Sequence, residues 1–212
     1  METIKVFEWI ITPTSPPRYL LRCSKCGKKT EYYCSEKFRI NAQKKLVDVW
    51  LIYKCENCDT TRNIDIITRM HSNKLNIDEY ELFLDNDIKT AWRYAFNKDV
   101  IKKNRVIVDY SKIEYIMSGD ILLLEEISNR EEDFVEFEIK FDYDIELDIA
   151  YVIRKNLMIS VSQFNRMIDN DIISTYPSYT GKRLKVKYGQ KVIINRKKLQ
   201  SFLKEAMLFP MK

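Results

Sequence analysis

The chain has 212 residues, of which 45% are hydrophobic and 32% charged, and a formal net charge of +5. That length suits one large domain or two to three small ones, while 4 glycines, 5 prolines and no run of about 18 apolar residues exclude collagen-like structure, extensive disorder and membrane-spanning helices. The charge is segregated: residues 1–75 carry 14 Lys+Arg against 8 Asp+Glu, residues 76–150 carry 9 against 20, and residues 151–212 carry 13 against 3, a pattern that bears on partners rather than on fold.

Residues 4–11 read as an extended apolar run, ended by the turn-forming Thr-Pro-Thr-Ser-Pro-Pro of residues 12–17. Two Cys-x-x-Cys pairs follow, Cys23/Cys26 and Cys55/Cys58, separated by 28 residues. Four thiolates on two tight turns match a tetrahedral structural zinc site, since zinc imposes no geometry of its own and accepts sulfur readily. Gly27 suits the positive φ of the first turn, and Asp59 stands in the corresponding place of the second. A redox Cys-x-x-Cys would be expected at a helix N-terminus, whereas the residues after both pairs read as extended. Disulfides fit poorly with five cysteines and no apolar signal segment, so the sequence points to a reducing cytoplasm. Cys34 is the spare and is expected to be a small buried hydrophobe. Strand-forming stretches through Phe38 and over Leu46–Tyr53, with a polar tip at Asn41–Lys45, complete the plan of a zinc ribbon over residues 1–75. In that plan the metal replaces a core that so short a domain would struggle to build.

The segments Ser35-Glu-Lys-Phe-Arg-Ile-Asn-Ala42 and Leu46-Val-Asp-Val-Trp-Leu-Ile-Tyr-Lys-Cys55 resemble a bacterial family known as domain of unknown function ten-sixty-two. The similarity spans most of the chain; it implies a zinc-ribbon start and brings no activity with it. Arg39, Asn41 and Trp50 in these motifs either brace the hairpin or form a recognition surface, with bracing the commoner role of such residues.

The middle, residues 76–144, reads as an acidic α/β region. Asn76 followed by Glu79 marks a short helix start, and apolar residues from Ile88 to Ile101 at helical spacing predict one helix over 87–103, capped near Asn86 or Asp87. Val135, Phe137, Ile139, Phe141 and Tyr143 alternate with charged residues, as in a strand with one wet face. Glu131, Glu132 and Asp133 read as a solvated loop. One histidine (His71), no Gly-rich phosphate loop and no nucleophile elbow leave the chain without a catalytic constellation, so no catalytic residue is assigned.

In residues 145–212 a helix is expected over 147–153, a connector at 156–159, and a capping box at Ser160/Gln163 opening a second helix with Val161, Phe164, Met167 and Ile168 on its apolar face. A hairpin starting at 172–175, a strand–turn–strand over 184–194 around Gly189, and a closing helix over 197–208 follow. This order resembles the αL-motif RNA-binding domain of a small-subunit ribosomal protein, some tyrosyl-tRNA synthetases and pseudouridine synthases. The matching positions include Leu147, Asp148, Ser160, Arg166-Met-Ile168, Tyr188-Gly189-Gln and Val192-Ile193. The chain departs from it at Glu146 and Val161, where that family has arginine, and at Asp171, where it has glycine. The resemblance implies RNA contacts, for which the available cations are Arg154, Lys155, Arg166, Lys182, Arg183, Lys185 and Lys187, with Tyr176 and Tyr179 able to stack on unpaired bases.

The sequence thus predicts an α+β protein in three parts: a zinc ribbon (1–75), an acidic middle (76–144) and a basic αL-like domain (145–212). The expected function is non-catalytic binding of structured RNA, rRNA or tRNA, by a cytoplasmic protein holding one structural Zn2+. The alternative is a protein-interaction adaptor whose acidic middle and ribbon engage another protein, with the basic end used intramolecularly.

Overall fold

Val6–Pro13 forms the first strand, β1, and buries Phe7, Trp9, Ile11 and Pro13 on one face. Its extended character follows the sequence, but its partner is not the ribbon: β1 runs parallel to Phe134–Lys140 (β8), with Trp9 opposite Ile139. The computed structural model describes residues 6–178 and 184–208. They form a mixed α+β fold with two five-stranded sheets in two units, the first made of Met1–Thr12, Tyr115–Phe141 and Glu146–Lys212, the second of Pro13–Glu114 and Asp142–Ile145.

In the second unit, Tyr19–Arg22 (β2), Lys29–Gln43 (β3), Leu46–Cys55 (β4), Thr61–His71 (β5) and Ile107–Val108 (β6) make a sheet in the order β5-β4-β3-β2-β6. The long β3–β4 hairpin reverses at Lys44 and Lys45, with Lys44 at φ 57°. Strict alternation along β4 buries Val47, Val49, Leu51, Tyr53 and Cys55 and leaves Leu46, Asp48, Trp50, Ile52 and Lys54 half-exposed on the opposite face. Three helices, Ile77–Leu84 (α1), Ile88–Phe96 (α2) and Lys98–Lys103 (α3), supply the other side of the core. Phe83 packs with Val47 and Val49, and Ala91, Ala95 and Val100 pack with Tyr19, Leu51, Tyr53 and Ile64. Tyr19 and Tyr53 stack at 4.1 Å, and their hydroxyls donate to the carbonyls of Ala95 and Pro17. The expectation that the metal stands in for a missing core is therefore corrected: helices assigned to a separate middle region close an apolar core over the cysteine sheet.

The predicted helix 87–103 is two helices. Asn97 takes an extended conformation and its side chain accepts from the Val100 amide at 2.9 Å, ending α2 and capping α3. A residue that bonds its neighbours' backbone so readily competes with the helix it sits in. Asn76 and Asp87 cap α1 and α2 as their spacing predicts.

The first unit holds Tyr115–Gly119 (β7), Leu124–Ser128 (α4), β8, Ile149–Leu157 (α5), Val161–Asp169 (α6), Ile173–Tyr176 (β9), Lys191–Asn195 (β10) and Arg196–Leu208 (α7). Its sheet order is β7-β1-β8-β10-β9. β8 is central, with Val135, Phe137 and Ile139 buried and Trp9 stacked on Phe137 at 4.5 Å. The predicted boundaries at 75/76 and 144/145 cut across this sheet. A strand buried on one face and unpaired at both edges needs partners, and β8 takes one from each end of the chain, parallel β1 and antiparallel β10.

Local readings near the C-terminus are partly revised. α5 runs through the expected connector to Leu157 and ends at Met158, which is left-handed at φ 55° and ψ 39°. The Ser160/Gln163 capping box is present. Phe164 and Met167 are buried, but Val161 is exposed at the first turn of α6. Residues 184–190 are not a strand: Lys185 makes a single bridge to Asp148, and the ladder starts at Lys191. No helix among the described residues is long and apolar enough to cross a membrane.

Candidate metal centre and basic surface

The cysteines sit on two knuckles with the same internal bonding. After β2, the Cys23 amide donates to the Lys28 carbonyl at 2.9 Å and the Gly27 amide to the Cys23 carbonyl at 3.0 Å. After β4, the Cys55 amide donates to the Thr60 carbonyl at 3.0 Å and the Asp59 amide to the Cys55 carbonyl at 2.9 Å. Gly27 and Asp59 are both left-handed, at φ 69° and 56°, and the Tyr33 hydroxyl holds the Asp59 carboxylate at 2.8 Å. Antiparallel pairing of β3 with β4, Tyr32 opposite Cys55, draws the second knuckle onto the first.

The four sulfurs lie within 4.8 Å of one another, with Cys23 to Cys58 at 3.6 Å and Cys26 to Cys55 at 3.9 Å. A tetrahedron with metal–sulfur bonds of about 2.3 Å has edges of about 3.8 Å, so the residues fit a four-thiolate metal ion. The sulfurs also receive hydrogen bonds that sequence reading missed. The Tyr32 hydroxyl, helped by the Cys26 amide, holds the Cys23 thiol well below its ordinary range. The Thr30 hydroxyl, 3.2 Å from Cys55, lowers the Cys55 thiol from its ordinary range. The neighbouring Cys58 sulfur, and then burial, push Cys26 up. Two sites thus favour thiolate while a third resists further negative charge, the balance that a bound cation resolves. Thr30 precedes Cys55 by 25 residues, and only the β3–β4 register brings it there. Cys34 is outside this group, half-buried at the β3 bulge, and burial pushes its thiol up to about 12.

The cations expected to meet RNA divide by location. Arg154 and Lys155 lie in the last turn of α5, with Lys155 over the Tyr151 ring at 5.9 Å. Arg166 is exposed on α6 over the Phe202 ring at 4.9 Å. Lys187 is exposed, and Lys185 pairs with Asp148 at 3.2 Å. Lys182, Arg183 and Tyr179 lie outside the described residues, and Tyr176 is exposed. Other cations of the C-terminal third are engaged by the acidic middle: Lys191 with Glu136 at 2.9 Å, and Arg196 and Lys197 with Asp133 at 3.4 and 3.0 Å. Glu131, Glu132 and Asp133 are exposed in a loop, as the sequence predicts, and from that loop Asp133 also pairs with the first residues of α7.

The family model described as Protein of unknown function (DUF1062) matches residues 40–178, well over half of the chain, and the chain belongs to that family. Cys55 and Cys58 fall inside the matched stretch and Cys23 and Cys26 before it. No curated protein and no solved structure matches the chain.

Proposed function

We propose that the chain is a non-catalytic RNA-binding protein whose cysteine hairpin is a zinc ribbon. The ion is zinc because four thiolates in a closed tetrahedral arrangement suit its coordination, and closed sites of this kind act in folding rather than in chemistry. RNA is bound by the first unit, and one observation carries this: Arg154, Lys155, Arg166 and Lys187 form no ion pair among the described residues, while Lys191, Arg196 and Lys197 are matched to carboxylates. Cations left without a carboxylate partner in a chain this rich in carboxylates suit a polyanion.

The test is binding of a structured RNA hairpin to the full chain across a salt series. Replacing Arg154, Lys155 and Arg166 with Gln is expected to weaken binding and to reduce the salt slope by roughly two to three units if each touches a phosphate. An unchanged slope would rule these residues out. The ion pairs between Asp133, Glu136 and the C-terminal cations favour a second reading, a protein adaptor neutralised within itself. That reading expects negligible RNA affinity at physiological salt and a partner captured after nuclease treatment.

A further inference from the structure

The open face of the second unit's sheet carries a feature that RNA binding by the first unit does not use. β3, β4 and β5 cover one face with helices; on the other, a depression of about 770 Å³ is lined by Asn41, Gln43, Lys44, Leu46, Asp48 and Trp50, with Thr68 and Arg69 at its β5 side. Cross-strand pairing puts Arg39 opposite Trp50 and Asn41 opposite Asp48, so both family motifs of the hairpin converge here. The two carboxylates of this face are already occupied: Asp48 accepts from the Arg69 amide at 2.7 Å, and Asp65 accepts from the Trp50 indole at 2.6 Å. The cations are not. Arg39, Lys44 and the Arg69 guanidinium make no ion pair among the described residues, and no ring or cation among them stacks on the half-exposed Trp50.

Bracing thus explains Asp48, Asp65 and the indole N–H, but it leaves over an aromatic face, two amide side chains and three cations on one sheet surface. We infer that this face binds single-stranded nucleic acid, with an unpaired base stacked on Trp50, its edge read by Asn41 or Gln43, and flanking phosphates held by Arg39, Lys44 and Arg69. Stacking platforms set in a positive groove bind single strands because every base offers a ring face and every linkage a negative charge. A neutral ligand would have no use for the cations, and a duplex would keep its bases out of reach of the indole. The site lies in the other unit from the cations of the RNA proposal, and either can fail without the other.

The experiment titrates full-length, metal-loaded protein into fluorescein-labelled oligouridine and oligothymidine of about fifteen nucleotides, enough to cross one such platform. Trp50→Ala is expected to weaken oligouridine binding roughly tenfold or more, and Trp50→Phe to retain most of it. Arg39→Gln and Arg69→Gln should each lower the salt slope by ~0.7. Indole fluorescence quenched on binding to the unmodified protein should stay unquenched in Trp50→Phe, which guards against a Trp50→Ala variant that merely unfolds. Equal binding of oligothymidine means the face reads bases without the 2′-hydroxyl; weaker binding means it selects RNA. Unquenched fluorescence in the unmodified protein, or Trp50→Ala and Arg39→Gln variants that bind as the parent does, would overturn the inference. The Arg154/Lys155/Arg166 variant should bind oligouridine normally; its failure on the hairpin RNA alone tests RNA binding by the first unit separately.

Discussion

Gly27 and Gly119 are both left-handed, at φ 69° and 93°, but their surroundings differ. A Cβ on Gly27 would meet nothing within 4 Å, whereas one on Gly119 would lie 2.3 Å from the Glu8 carbonyl oxygen. Gly27→Ala is therefore expected to cost only the backbone term, about 1 kcal/mol, and to keep the metal. Gly119→Ala must also push β7 from β1 and should cost on the order of 2 kcal/mol or more in denaturant titration. Cys34 makes the complementary case. With its thiol pushed up to about 12 by burial and its sulfur outside the cluster, Cys34→Val should bind the same amount of metal as the parent, and native Cys34 should resist alkylation at neutral pH. Metal loss in that variant would show that the ligand set is wrong.

The junction of α5 and α6 shows what an element gains from its ends. Ser160 accepts from the Gln163 amide at 3.1 Å while the Gln163 side chain accepts from the Ser160 amide at 2.9 Å. Two residues earlier, Met158 holds a left-handed C-cap with its side chain 71% exposed. Ser160→Ala should cost about 1 kcal/mol, and Met158→Gly should gain about 1 kcal/mol, since glycine has no steric penalty there and little packing is lost. Thermal melts of the two variants shifting in opposite directions would check both. The capping box was legible because its spacing is local. The break at Asn97 was not, because apolar residues from Ile88 to Ile101 keep helical phase on both sides of it.

Across the whole molecule the charge segregation of the sequence largely disappears. The first unit contains 16 Lys+Arg and 15 Asp+Glu, the second 20 and 16, because the acidic stretch 115–141 folds with the basic end. Lys197, then Arg196, hold the Asp133 carboxyl below its usual range. A lowered folded value stabilises above the unfolded carboxylate range near ~4 and is lost as pH falls through the lower folded value. Asp133→Asn should thus matter near neutrality and cease to matter in acid, with a small effect because the pair is exposed. Metal belongs to this scale too. Elemental analysis is expected to find one zinc per chain, and Cys55→Ser should lower the unfolding temperature of the second unit, whose core includes Cys23 and Cys55. The first unit has its own core and should keep its transition. Metal-free protein with an unchanged melting curve would end the structural-zinc reading.

By itself the sequence determined what is periodic or spaced locally: the two cysteine knuckles, the alternation of β4 and β8, the caps at Asn76, Asp87 and Ser160, and the presence of both helices and strands. Each is set by side chains within about ten residues, where backbone geometry leaves few choices. Tertiary structure decided which strands pair and what covers them. Parallel pairing of β1 with β8 joins residues some 130 apart, and no local pattern specifies a partner at that distance. The same long-range pairing brought Thr30 to Cys55, set Asp133 against Lys197, and left Trp50, Arg39 and Arg69 on one open face, because cross-strand register, not sequence spacing, chooses the neighbours of a side chain on a sheet.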